Sequence, residues 1–410
     1  MRSSARAYDR FAGDGEARHR HQPDYKLLIL ILILLTIGVV VVYAIGPALA
    51  LANNVSNNFY SGRQLIAILL SIVAFFITSR VRLSDWRRWH KPLLVFAALA
   101  TLVALVMPAN PQYPAHRWIR LGSFSFQSVE FLKFAALIWL AGFLSDQAKN
   151  NLIADARRTL RPIAIAALGA GVVVAGVQSD FGSAVVLLAM MGALAFVIGV
   201  PLKRLILVGG VLLIGGVLLI SAVPYRRERL MTFLHPAADC QSSGYQACQA
   251  LISVGSGGLI GLGLGRSVQA YGYLPEAAND SIFAIYAEKF GFIGVALLLG
   301  LFAAFFARLK SIAARAPDNF SRLFVTGVLA WLSVQTIINI GAMVGLLPLK
   351  GITLPFVSYG GTSVVFVMAA MGVVFQISRY TSFASEAASA DRQSSVRQSM
   401  RSFGNQRRNA

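Results

Sequence analysis

The sequence predicts an all-α integral membrane protein of about ten transmembrane helices with one large structured extracytoplasmic loop. Three observations carry this. Of the 410 residues, 56% are hydrophobic and only 13% charged, about half the charge of an ordinary soluble domain. The mean hydropathy is +0.65. The apolar residues also gather into runs close to the ~20 residues that one membrane helix needs. The same figures exclude a disordered chain, a collagen-like repeat and a disulfide-stapled secreted module. With two cysteines, Cys240 and Cys248, zinc fingers and multi-disulfide frameworks are excluded as well.

The runs fall at 27–46, 64–79, 92–107, 129–144, 162–177, 183–200, 205–223, 282–307, 323–345 and 361–378. The second and third are short, which leaves nine as the alternative count. No cleavable signal pattern precedes the first run, which is long enough to stay in the membrane as a helix. No internal repeat of the kind that marks two-half transporters is visible.

Orientation follows from the basic residues. With the N-terminus in the cytoplasm, 27 of the 37 Lys and Arg residues and 10 of the 17 acidic ones fall on the inner side. That is a net +17, against +3 for the outer and embedded remainder. The formal charge of +20 is therefore a topology signal, with attraction to anionic membrane lipids, and not a nucleic-acid footprint. Residues 1–26 read as a basic cytoplasmic tail, 27–380 as a polytopic membrane domain, and 381–410, rich in Ser, Arg, Gln and Ala, as a disordered cytoplasmic tail. The largest outer segment spans 224–281, and a long structured loop inside a compact membrane domain is usually functional.

Ionisable groups in or beside spans are costly in lipid, so Glu130, Lys133, Asp180, Glu288 and Lys289 are candidates by default. Glu130 and Lys133, three apart, share a helix face; they either pin helix four or shape a polar cavity. Asp180 precedes a helix start and reads first as an N-cap. Asn279-Asp280-Ser281 precedes another, and any of the three suits its cap. Asp280 and Glu276 stand beside a basic loop, so the alternative for either is a general base.

The glycine-rich run 255–265 lacks the Lys-Ser/Thr ending of a phosphate loop and suits close backbone packing. Arg226, Arg227, Arg229 and Arg266 on the outer loop suit a pyrophosphate or ordinary lipid phosphates. The connection Leu346 to Ser363 is full of helix breakers, and non-helical backbone at membrane depth needs protein or a wet cavity beside it. Its Lys350 is therefore expected to face the same cavity as Asp280. Cys240 and Cys248, eight apart in the outer loop, either close a small disulfide loop or remain two reduced thiols.

Several ordered segments resemble the SEDS family (shape, elongation, division and sporulation): Arg117 to Gly122 with Gln127 to Lys133, Gln178 to Gly182, Tyr225 to Arg229, Gly244 to Gly265, Tyr273 to Gly294, and Leu346 to Ser363. The resemblance covers roughly residues 27–380, and Pro348-Leu349-Lys350-Gly351 is more similar to the family's division branch. It implies a ten-helix fold in the bacterial cytoplasmic membrane, at the division septum, and a peptidoglycan glycosyltransferase that polymerises lipid II on the outer face. It also implies a class B penicillin-binding transpeptidase and other divisome proteins as partners.

The family's key acid falls on Asp280, with Lys350, Glu130 and Lys133 at its other matching positions. Arg226, Arg229, Arg266, Glu276 and Ser358 complete the expected substrate-binding set. Where the family commonly has His-Thr-Asp-Phe, this chain has Ala278-Asn279-Asp280-Ser281; it also has Glu288-Lys289 for two acids and Gln269-Ala270 for Gln-Lys. The aspartate is kept. The expected chemistry is inverting glycosyl transfer with Asp280 as base, aided by a divalent cation (Mg or Mn) and no organic cofactor. The rival readings are a lipid II flippase and a non-catalytic scaffold for a transpeptidase.

Overall fold

The structure, a computed structural model, describes residues 22–107, 117–121, 124–221, 233, 240–242 and 244–380. The expected tails lie almost wholly outside the described residues, as does the outer loop around Arg226, Arg227 and Arg229.

The helices are α1 (Tyr25–Ala52), α2 (Phe59–Thr78), α3 (Leu83–Val106), α4 (Ser128–Lys149), α5 (Ala156–Val177), α6 (Phe181–Ile198), α7 (Leu202–Ser221), α8 (Tyr245–Ser256), α9 (Ile282–Ala314), α10 (Asn319–Met343) and α11 (Gly361–Ile377). Among the described residues, α1 to α6, α9 and α10 are long and apolar enough to cross a membrane. The twenty-residue α7 and the shorter apolar α11 occupy the remaining two expected positions. The count of nine is thus set aside. α2 and α3 run to 20 and 24 residues because they continue through polar first and second turns holding Arg63, Gln64, Asp85 and Arg87, which a hydropathy window discards.

α4 is the centre of the bundle, 89% buried over its most apolar stretch. It packs on α3, α6, α10 and α11, while α11 packs on α2, and α10 on α6 and α9. Glycine permits the closest approach. At Gly372 of α11 an added Cβ would strike Thr78 and the backbone of Phe75, and there Thr78 Oγ1 donates to the Ala369 carbonyl at 2.8 Å.

One element escaped the all-helical expectation. Strands β1 (Trp118–Leu121) and β2 (Phe124–Gln127) pair antiparallel, with Leu121 opposite Phe124. The alternation Trp-Ile-Arg-Leu and Phe-Ser-Phe-Gln around Gly122-Ser123 is a short-hairpin pattern. The ribbon delivers the chain to α4. It is tied to α11 where Thr362 Oγ1 donates to the Ser125 carbonyl and accepts from the Gln127 N–H, each at 3.3 Å.

Candidate active site

The breaker-rich connection between α10 and α11 folds onto the loop before α9, and the two are stitched by named polar groups. Ser358 Oγ donates to the Asn279 carbonyl at 2.7 Å and accepts from the Leu354 N–H at 2.7 Å. The Tyr359 N–H donates to the Ala278 carbonyl at 2.9 Å. From α10, Asn339 Nδ2 donates to the carbonyls of both Asp280 and Ile352, each at 2.7 Å. Non-helical backbone at this depth needs its polar groups satisfied by protein, and these side chains do it. Ser358 is buried, so it lies behind the loop as a clamp. Beside it, burial pushes the Tyr359 phenol up, and the Arg63 cation draws it back down.

Asp280 does not cap α9. Ser281 is the N-cap residue, and its own side chain makes no cap bond. Of the three residues that suit the cap, the backbone places Ser281 there, one position after Asp280. A Cβ built on Gly351 would stand 3.0 Å from Asp280 Oδ2 and 3.7 Å from Arg117 Nη1. Glycine alone keeps the space in front of that carboxylate open. Arg117 enters from the start of β1, held by the Gln178 carbonyl on Nε (3.1 Å) and the Ser179 carbonyl on Nη2 (2.8 Å). Asp180 does act as the expected cap, its Oδ1 accepting from the Ser183 N–H at 3.0 Å.

Lys350 precedes Gly351 and crosses the first turn of α6, with Nζ 5.2 Å from the centre of the Phe181 ring. Its Cβ lies 3.3 Å from where a Cβ on Gly182 would be, and the Ile352 side chain fills that place. Arg117, Asp280 and Lys350 thus meet around Gly351 from three distant parts of the chain.

Glu130 and Lys133 form a buried pair, Nζ to Oε1 2.7 Å, with Lys133 1% exposed. Lys133 also donates to Gln335 Oε1 at 3.2 Å, and Trp331 Nε1 donates to the same oxygen at 2.8 Å. Gln335 Nε2 then donates to the Thr353 carbonyl at 2.9 Å. The pair therefore supports the loop that carries Lys350 from beneath.

The glycine-rich run packs closely, as its composition allows. Helix α9 is broken at Gly291, which sits at φ 61° inside it, and a Cβ on Gly261 or Gly291 would strike the other strand of backbone. Glu288 accepts from the Ser267 hydroxyl and from the N–H groups of Val268 (2.8 Å) and Gln269 (3.2 Å). Lys289 donates to the Leu264 carbonyl at 2.7 Å. Both embedded charges thus anchor this loop. Arg266 is exposed on it. Glu276, at φ 50°, accepts from Asn279 Nδ2 and shapes the turn ahead of Asp280.

Cys240 and Cys248 are joined in a disulfide at the entry to α8. Two residues into that helix Gln246 Nε2 donates to Ser281 Oγ at 3.3 Å.

Arg117, Gln335 and Asn339 are the site residues that sequence reasoning passed over. Gln335 and Asn339 carry no charge, so a search for ionisable groups misses them. Two amides four apart in an apolar run were the available signal, since uncompensated amides are also costly in lipid.

These features define a polytopic membrane protein with a polar site built from loops at one end of its bundle. The family model of the FtsW, RodA and SpoVE cell cycle proteins matches residues 25–383, and the chain belongs to that family. It is 37% identical over 326 residues to stage V sporulation protein E of Bacillus subtilis, covering 79% of this chain and 88% of that one. It is 38% identical over 330 residues to the probable peptidoglycan glycosyltransferase FtsW of Coxiella burnetii, covering 78% and 87%. Among solved structures, a chain from a peptidoglycan synthase complex that coordinates polymerization and crosslinking matches with TM-score 0.71 and 27% identity, covering 87% of this chain and 98% of that one. The rod shape determining protein RodA of Thermus thermophilus matches with TM-score 0.64 and 26% identity, covering 87% and 97%.

Proposed function

We propose that this protein is a peptidoglycan glycosyltransferase that polymerises lipid II on the outer face of the bacterial cytoplasmic membrane during septal wall synthesis, with both termini cytoplasmic. Family membership and the names of its relatives support the activity. The observation that carries the mechanism is the Asp280 carboxylate facing the opening at Gly351, with the Arg117 guanidinium beside it.

An acceptor sugar hydroxyl entering at Gly351 would lose its proton to Asp280, which raises the oxygen's nucleophilicity as attack proceeds. The oxygen attacks the anomeric carbon of the donor, and the undecaprenyl pyrophosphate leaves. Positive groups aimed at the leaving group stabilise the charge it gains, and among the described residues Arg117 and Lys350 stand beside the opening. An α-linked donor that becomes a β-1,4 glycan undergoes one inversion, so no covalent enzyme intermediate forms.

A divalent cation (Mg or Mn) would have to be held by the Asp280 carboxylate together with substrate phosphates, since such ions take one or two carboxylates from protein. Among the described residues no three His, Cys, Asp or Glu side chains come together, and the carboxylate at the opening faces Arg117. No step is assigned to a metal here.

Lipid II flipping draws less support, because the embedded charges that would line a path are engaged: Glu130 with Lys133, Glu288 with loop N–H groups, Lys289 with a carbonyl. A class B penicillin-binding transpeptidase is the proposed partner, supported by the likeness to a chain of a synthase complex. Reconstitution with purified lipid II tests the reading, with glycan product and lipid movement read separately. Glycan strands without a transpeptidase present are expected; lipid movement without glycan would replace polymerase by flippase.

A further inference from the structure

At the end of the bundle opposite Asp280, the start of α1, the last turns of α9 and the end of α11 enclose a recess of about 360 Å³. Lys26, Arg308 and Arg315 line it, with Ser311, Ser378 and Tyr380 among its polar walls. Arg308, Ser311 and Arg315 follow one another at three and four residues, so they share one face of α9. The one acid in the lining, Asp24, is already committed. Its Oδ1 accepts from the Leu27 N–H at 3.1 Å, capping α1, and its Oδ2 meets Arg308 Nε at 2.6 Å. Three cations thus stand against a single engaged carboxylate.

The height of the recess names its solvent. α1 runs from Tyr25 at the recess to Ala52, whose Cβ packs against Gly272 of the loop that leads to Asp280, 27 residues on, or about 40 Å along a helix at 1.5 Å per residue. A bilayer with its headgroups is ~40–45 Å thick. The recess is therefore at headgroup depth in the leaflet opposite Asp280. Below it the exposed Ile29, Leu32 and Ile33 of α1 present an apolar wall toward the membrane interior, and Tyr25, 54% exposed, sits at the rim, where interfacial aromatics belong.

We propose that this recess is a binding site for the phosphate headgroup of an anionic phospholipid, with Lys26, Arg308 and Arg315 on the phosphate and an acyl chain against α1. Basic pockets between membrane helices suit such headgroups, and the apolar wall favours a lipid over free phosphate. The site is independent of the glycosyl-transfer reading.

Native mass spectrometry of the full chain in detergent, titrated with phosphatidylglycerol, phosphatidylcholine or inorganic phosphate, tests it. A phosphatidylglycerol adduct is expected that phosphatidylcholine does not replace. The double variant Lys26→Gln/Arg315→Gln should weaken it about thirtyfold, from about 1 kcal/mol per cation. Lys203→Gln/Lys310→Gln, which removes equal charge from outside the recess, should not. The single variants Lys26→Gln and Arg315→Gln, each expected to weaken binding about fivefold, carry the test if the double variant misfolds. Equal weakening in both double variants would reduce the effect to general surface charge and overturn the proposal. Displacement of the lipid by millimolar inorganic phosphate would overturn it as a lipid site.

Discussion

Asn339, in the interior of α10, donates one N–H of its amide to the backbone carbonyl of Asp280 at 2.7 Å and the other to Ile352. An amide has two such hydrogens, and this one uses both to fasten the two site loops together. Asn339→Ala would leave the buried Ile352 carbonyl unpaired, at about 1–3 kcal/mol, and would free the part-buried Asp280 carbonyl as well. The expected result is a lower melting temperature together with a loss of polymerisation larger than the loss of folded protein. Asn339→Asp should not rescue, since a carboxylate cannot donate both bonds. A variant with full activity would detach Asn339 from the site.

Asp280→Asn separates chemistry from structure, because it keeps the size of the side chain and removes only its proton-accepting charge. Glycan synthesis should fall about 10²–10⁴-fold, the range for losing a general base, with expression and melting temperature unchanged. Glu276→Gln is the control for the other carboxylate. Near-normal polymerisation by Asp280→Asn would end the catalytic assignment.

Lys350→Ala removes a cation that interacts with charge present in both the bound substrate and the transition state. The expected loss is about 10–100-fold in kcat/KM, equivalent to one charged hydrogen bond, seen mainly at limiting lipid II. Unchanged rates there would make Lys350 a structural cation that packs on Phe181.

Lys133→Met isolates a buried carboxylate. Breaking one side of a buried pair costs about 3–5 kcal/mol, so Glu130 left alone should lower stability sharply. Lys133→Met combined with Glu130→Gln should recover much of that stability while leaving Gln335 without one of its two donors. Thermal denaturation of the wild type, Lys133→Met, Glu130→Gln and the double variant gives the coupling directly.

The Cys240–Cys248 bridge closes a nine-residue loop, worth about 2–3 kcal/mol in the chain-entropy account. Both thiols should resist alkylation in membranes prepared without reductant and become reactive after reduction. Cys240→Ser/Cys248→Ser should lower stability and slacken the Gln246–Ser281 contact next to Asp280. Free alkylation of both thiols without reductant would show the bridge does not form.

The membrane class, the ten helices and the candidate acid could all be read from the chain alone. Each rests on local or summed properties: apolar runs of one bilayer thickness, a basic bias on alternate connections, and motif segments in a fixed order. The run boundaries at α2 and α3 were misjudged where helix continues through interfacial Arg and Gln. The composition could not say whether Asp280 capped α9, since any of three adjacent residues suits a cap; the backbone decided for Ser281. Nor could it show that Glu130 and Lys133 support the Thr353 loop through Gln335, or that Glu288 and Lys289 hold the glycine-rich run. Those pairings join residues up to 202 positions apart, and only close packing selects among the many partners a buried polar group would accept. Arg117, Asp280 and Gly351 are the same case, for their meeting is fixed by how three separate loops fold back on one end of the bundle.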